Sequence, residues 1–560
     1  MGQITATAMD KNIRFKSLFS KYLDLNNSDL NNFIMSIPSN FDGVIKTLNE
    51  YPNLQVDENI ITNRKNLKTA IAEFHQRAGT LTPAVNEQLN MLEEKNLKII
   101  VAIHQPNLFA YGGVYKKIVM METISNHMTN SKDHYLPLFI VIDHDFMDDS
   151  WVHVAKLPSI RNSSGIFDIR YPMNDYKRWK LICKTDPPTP SLIKFWEGQL
   201  YRWIKNDKSL NKDQIKKLIN NLKNFWEIVE DSLPLSNNYS DFNSIVMSKL
   251  INNIWGFKTL FVNLSELYNT FSHGYNFLIA NHETYLHSLE NSELFFRNHN
   301  IFKGISSNSS KYSPLWLHCP CGGKGYSIVN MNRDRDVELS GKCISCKRPL
   351  VLNVGKQNRI KIPKHNLSEL SPRAIPILLL LSRELKTSGY ITGTGGSLGY
   401  TIIGKRVFND LKINMPVLLL WAANDVYSGF AQNEAVQLLH ENNVGDISEF
   451  LKDAKIKSKE YQDKINPLIN KRNQIYSDKN ALSDLLNELF YYKNEQRKLK
   501  SLVKIVKKSH NALSLKPCLL DYIVNFGMDK ISNKWSNTLV KNKDFAFPLK
   551  LDSPYSDEKN

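Results

Sequence analysis

Short β-branched runs alternate along this chain with stretches whose apolar residues recur every three or four positions, a pattern that predicts an α/β protein. Leu67–Phe74 and Val85–Leu92 carry the helical spacing within an amino-terminal helical region, 1–95. Lys98–His104 (KIIVAIH) reads as a buried strand that runs into the loop HQPNLFAYGG. A helix over Val114–His127 and a second strand, Tyr135–Asp143 (YLPLFIVID), follow it. Strand, helix and strand at these distances form a βαβ unit, hence a parallel sheet with a right-handed crossover. Thr259–Leu264 offers another strand. The pattern returns at Gly389 with the strand YITG, the loop GTGGSLG, a helix through Leu411 and the strand Met415–Trp421.

Core segments are therefore expected over 96–174, 256–310 and 356–431, with a Trp-, Lys- and Leu-rich helical insertion over 175–255. Residues 432–510 are polar, with Leu and Ile three or four apart, which predicts an antiparallel helical hairpin or coiled-coil arm that could pair two copies of the chain. Residues 511–560 would return to the core. No repeat of 20–50 residues stands out.

A chain of 560 residues, 42% hydrophobic and 23% charged, folds as several units, which excludes wholesale disorder. The net charge of +17 favours anionic partners or reflects a solvated lysine-rich surface. Phe450–His510 alone holds 15 basic and 7 acidic residues, so nucleic acid enters as a partner to test. The apolar runs near Ala374–Leu381 and Met415–Ala423 fall well short of the ~20 residues of a membrane span. With no apolar leader at the start, and Ala6 where a myristoylation signal needs Ser or Thr, the expected location is the cytoplasm.

Chemistry in open α/β sheets collects beyond the carboxyl ends of parallel strands. Three loops qualify. The first holds His104, Gln105 and Asn107, then Gly112–Gly113 at a helix start, where unpaired N–H groups favour an anion. The second packs Asp143, His144 and Asp145 at a strand end, a cluster suited to general-base work on an amine, to ammonium binding or to Mg²⁺. The third, with Gly393, Gly395, Gly396 and Gly399, follows a strand and opens a helix, as a phosphate- or carboxylate-cradling loop does. Each also admits a plainer reading, as a strand-end turn, a helix cap or a tight turn.

Cys319, Cys321, Cys343 and Cys346 form two short-spaced pairs about the hairpin Tyr326–Leu339, the pattern of a structural zinc ribbon over 311–355. Four protein ligands leave no open coordination position. His318 beside them reads as a surface histidine ahead of a substitute ligand, and Cys183 and Cys518 as lone thiols.

At these residues the chain resembles the cysteine-adding (BshC-like) enzymes of bacillithiol synthesis. IHQPNLFAYGGVYKK matches that family's strand-loop-helix start, Asp143–Phe146 its Asp-His-Asp-Phe signature, and LKTAIAEFHQRAGTLTPAVNEQL its helical lead-in. SPRAIPILLL, GTGGSLGY, NMPVLLL and LLDYIVNFGMDKI follow in the family's order. Where the family has Gly-Gln-Gln this chain has Ile103–His104–Gln105, and the four-cysteine insertion is an addition.

The resemblance implies a Rossmann-like core related to class I aminoacyl-tRNA synthetases, with helical insertions and a coiled-coil arm. It also implies a carbon–nitrogen ligase joining cysteine, or another amino acid, to the amine of a glucosaminyl-malate-like acceptor, with ATP or another nucleotide as activator. His104, Asp143, His144 and Asp145 would be catalytic. Gln105, Asn107, Gly112, Tyr115, His153, Arg373, Gly393, Gly395, Gly396 and Gly399 would bind substrate. The alternative is a tRNA- or RNA-binding protein with a synthetase-like core and a structural zinc ribbon.

Overall fold

The computed structural model describes residues 19–551, except 24, 26, 129–133, 208, 302–310, 333–334, 358, 394–395, 423–424, 475–478, 543–544 and 546–548. Helices Ser28–Met35, Phe41–Glu50, Glu58–Ala78 and Pro83–Met91 lead into strand β1, Leu97–His104. Side-chain caps start them: Asn27, Asn40, Asp57 and Thr82 each accept a hydrogen bond from a backbone N–H three residues on. After β1 come the helix Gly112–His127, β2 (His134–Val141) and a hairpin of β3 (Val154–Pro158) and β4 (Ile166–Arg170). The 175–255 segment is helical, chiefly Pro190–Lys205, Lys212–Ser232 and Tyr239–Ser248. Strand β5 (Leu260–Asn263) follows, then helices Ser272–Ala280 and His282–Asn298.

An antiparallel ribbon comes next, built from β6 (Leu315–His318), β7 (Lys324–Met331), β8 (Asp336–Lys342), β9 (Pro349–Lys356), β10 (Arg359–Ile360) and β11 (Leu370–Pro372). It runs past the expected end at 355, because β11 pairs with β6 and closes that edge. The chain then returns through the helix Ala374–Leu385, β12 (Thr387–Thr392), the helix Gly396–Asp410 and β13 (Val417–Leu420).

The central sheet has the order β13-β12-β1-β2-β5, and all four of its pairings are parallel. Both faces of such a sheet are covered, so its strands are continuous apolar runs, unlike the alternating ribbon strand β9. In β1 only Ile103 and His104 are not fully buried, which marks the strand end as the open edge. Buried Val, Leu and Ile in such strands contribute about 1.5–3 kcal/mol each. From β1 the chain winds to β2 in one direction, and from β12 to β13 in the other. The winding thus reverses between β1 and β12, and a crevice opens there beyond the strand ends.

Phe109 ties the helical insertion to this core. Its backbone sits at φ 42° and its ring meets Trp196, Phe225 and Trp226 with centroids 5.8–6.3 Å away. At the other end, helices Ile447–Arg472 and Lys479–Ser514 pair as an antiparallel arm. Ile465 and Leu468 meet Leu485 and Leu489 far out, and Ile447 meets Val506 near its base. The base leans on the β3–β4 turn, where Asn511 Nδ2 donates to the Ser164 carbonyl at 2.9 Å. No helix among the described residues is long and apolar enough to cross a membrane.

Gly165 in that turn has φ +80°, and a Cβ there would lie 2.2 Å from the Lys508 carbonyl oxygen. Gly165→Ala should therefore cost about 1–3 kcal/mol, the usual size of such backbone strain. Urea denaturation checks this, and an unchanged midpoint would mean the arm does not bear on the turn.

Candidate functional site

Loops leaving β1 and β2, the residue after β12 and one face of the ribbon enclose a cavity of about 760 Å³. From β1 come His104 and Gln105. His104 Nδ1 lies 2.9 Å from the Gln105 carbonyl, which can only accept, so Nδ1 carries the hydrogen and Nε2 the lone pair. Burial, then nearby Lys117, pushes this imidazole down to about 3, so it is neutral at physiological pH. Lys117 also lines the cavity, donates to the Ile103 carbonyl at 3.3 Å, and is lowered to about 8 by burial.

The Asp143–Phe146 cluster divides at the strand end. Asp143 turns inward, and its carboxylate accepts from Ser265 N–H (2.9 Å) and Ser265 Oγ–H (2.5 Å), which caps the turn after β5. Burial raises it to about 7. His144 and Asp145 line the cavity. Asp145 accepts from Gln105 Nε2 at 2.8 Å, so the first two loops meet there. The His144 ring meets His318 at 4.6 Å, and its buried Nδ1 has no hydrogen-bond partner among the described residues. Burial pushes both imidazoles down, His318 to about 3. His318 is thus half-buried against His144 and not the surface histidine expected, because its strand faces the β2 loop.

The ribbon supplies what the sequence did not signal: Trp316, Lys324 and Tyr326 line the cavity. Lys324 Nζ donates to the His144 carbonyl at 2.6 Å and lies 3.6 Å from Asp145 Oδ1. It also sits over Phe146 (4.9 Å) and Trp316 (4.4 Å). Burial lowers its pKa, and Asp145 opposes that shift. Lys324 and Lys117 look from sequence like two of many surface lysines; only their cavity position distinguishes them.

Arg373, directly after β11, lines the cavity beside them with its guanidinium 5.6 Å from the Tyr326 ring centre. Gly393 lines the cavity too. Gly395 lies outside the described residues. The helix begins at Gly396, so Gly396 and Gly399 belong to its first turn and the loop is shorter than expected.

Asn107, Gly112, Tyr115 and His153, expected to bind substrate, are not among the residues lining the cavity. Asn107 is buried in the turn below it. Gly112 allows close packing, since a Cβ would lie 2.7 Å from the Tyr522 ring. Tyr115 is core, edge-on to Trp255, and His153 Nδ1 pairs with the Met147 carbonyl at 3.0 Å.

The four cysteine sulfurs lie within 4.8 Å of one another, close enough to hold a metal ion. Cys319–Cys346 and Cys321–Cys343 are each 3.6 Å apart, near the edge of about 3.8 Å that a zinc tetrathiolate requires. Gly322 N–H donates to the Cys319 carbonyl and Lys347 N–H to the Cys343 carbonyl, closing the two knuckles. Comparison with known proteins matches no family model and no curated protein to this chain.

The unfolded chain protonates His104 near its ordinary 6.5, whereas the folded chain holds it near 3. Its contribution is complete above pH 6.5 and is lost as pH falls toward 3. In His104→Gln the pH slope of unfolding free energy between pH 6 and 4 should drop by up to about one proton. An unchanged slope would mean the ring is already charged in the folded state.

Proposed function

We propose that the chain is a ligase-type enzyme that joins an amino acid, cysteine in the first instance, to the amine of a glucosaminyl-malate-like acceptor, in a Rossmann-like core. One observation carries this reading: His104, Gln105, His144, Asp145, Arg373 and Gly393, drawn from distant parts of the chain, line one cavity at the strand ends. The order third-second-first-fourth-fifth of the sheet strands, taken from the β5 edge, supports the Rossmann-like assignment.

Asp145 is the group for the acceptor amine. Its carboxylate is 43% exposed, oriented by Gln105, and able to hold an ammonium and then take its proton. His104, kept neutral, offers Nε2 as a hydrogen-bond acceptor. Arg373 and Lys117 are cations for the amino-acid carboxylate and the activating phosphate. In the reaction the amine nitrogen attacks the activated carboxyl carbon, and one carboxyl oxygen leaves with the phosphate derived from ATP. The four cysteines would hold zinc in a closed shell, so that ion would take no direct part in the chemistry.

Incubated with glucosaminyl-malate, cysteine and ATP, the purified protein should give a product heavier than the acceptor by one cysteine residue. Asp145→Asn should lower kcat/KM by about 100-fold or more, the range of a lost general base. No product with any nucleoside triphosphate, together with no binding of the acceptor, sinks the assignment.

A second reading, an RNA-binding protein with a synthetase-like core, draws on the arm. Lys500, Lys504, Lys507 and Lys508 line a groove of about 400 Å³ against Ser163 and Ser164. If four phosphates sit there, duplex RNA binding should weaken with salt at a log–log slope of about −3.6. Lys504→Glu with Lys507→Glu should flatten that slope. No RNA binding at low salt removes this reading.

A further inference from the structure

The knuckles that carry the cysteines and the cavity share one wall. At the first knuckle the Gly322 carbonyl accepts from Leu181 N–H at 2.8 Å. The next two residues then reach the β2 loop: Ile182 N–H donates to the Asp145 carbonyl at 2.9 Å and Cys183 N–H to the Asp143 carbonyl at 3.0 Å. Met147 N–H returns a bond to the Lys180 carbonyl at 3.1 Å. Gly323 keeps this contact tight, since a Cβ there would lie 3.2 Å from both the Trp179 carbonyl oxygen and Cys343 Sγ. Residues 179–183 therefore form a strip bonded on one side to a knuckle and on the other to the loop bearing His144 and Asp145.

Lys324 makes a second bridge. It begins β7 three residues after Cys321, paired with His318. Its own carbonyl accepts from Ile344 N–H at 2.9 Å, inside the second knuckle. Both knuckles thus fix its backbone, while its ammonium enters the cavity wall between Phe146 and Trp316 and holds the His144 carbonyl. With a metal ion bound the four thiolates share one centre and the knuckles stay together. Without it the knuckles keep the Ile344–Lys324 backbone bond and the β7–β8 ladder but lose the link through the sulfurs themselves.

We propose that metal occupancy of the four-cysteine centre switches the cavity, with Lys324 as the positioning residue: the bound ion holds Lys324 and residues 179–183 against the 143–147 loop, and its loss releases that wall. This regulation rests on the reading of the cavity as a substrate site. The competing picture is a staple that stabilises the ribbon alone.

Hydrogen exchange on the full chain separates the two, with metal content measured in parallel. After the metal is stripped with a chelator, exchange over 143–149 and 180–184 should rise by about tenfold or more along with the ribbon, while β2 over 136–141 stays protected. Lys324→Met, with its metal retained, should raise exchange over 143–149 by itself, and Lys324→Arg should restore protection. Faster exchange confined to 319–348, or a purified chain that binds no zinc, overturns the proposal. A fully metallated Lys324→Met with wild-type protection overturns the part given to Lys324. None of these measurements needs a substrate, so absence of a ligation product would count against the proposed reaction and leave the coupling standing.

Discussion

In a parallel sheet every strand ends on the same edge, and burial of both faces leaves that edge as the main outlet for polar side chains. Here the constraint acts at β1 and β12, where the winding reverses and the adjoining crossovers diverge. The turns after β1 and β2 and the residue after β12 are thereby pressed toward one crevice. His104 meets Gln105, Gln105 meets Asp145, and Gly393 borders the same space. The chemistry available there follows from that convergence more than from any single motif.

The crevice would be open on one side without the ribbon. Lys324 lies almost wholly out of solvent, and an ammonium in such a place must recover the hydration it loses. It does so through the His144 carbonyl, the Asp145 carboxylate and two aromatic faces. Arrangements of this kind add little net stability but penalise alternatives, because any shift leaves a buried charge unmet. The ribbon is thereby held to one position against the β2 loop. Arg373, at the end of β11, completes the enclosure from the same insertion.

The acidic cluster after β2 illustrates how far a local pattern can be read. Adjacent residues at a strand end point different ways, and these four divide their tasks. Asp143 caps the turn at Ser265, His144 and Asp145 face the cavity, and Phe146 packs between Trp179 and Trp316. The sequence marks the group as polar and ionisable but does not say which carboxylate is spent on the backbone. Tyr115 and Gly112 show the same limit, since a tyrosine or glycine at a helix start serves packing and ligand contact equally well.

What the residues determine on their own is local: the apolar runs of β1, β2 and β12, the helix caps, the long polar helices of the arm, and two cysteine pairs whose spacing suits one metal ion. These depend on periodicity and on contacts a few residues apart, which sequence records directly. Tertiary structure alone decided that the ribbon walls the cavity, that His318 faces His144, and that Lys117 and Lys324 are set apart from the chain's many other lysines. Those facts join residues far apart in the chain, 180 positions in the case of His144 and Lys324. The free energy that selects them is desolvation and packing of surfaces brought together by the fold, and linear order carries no record of it.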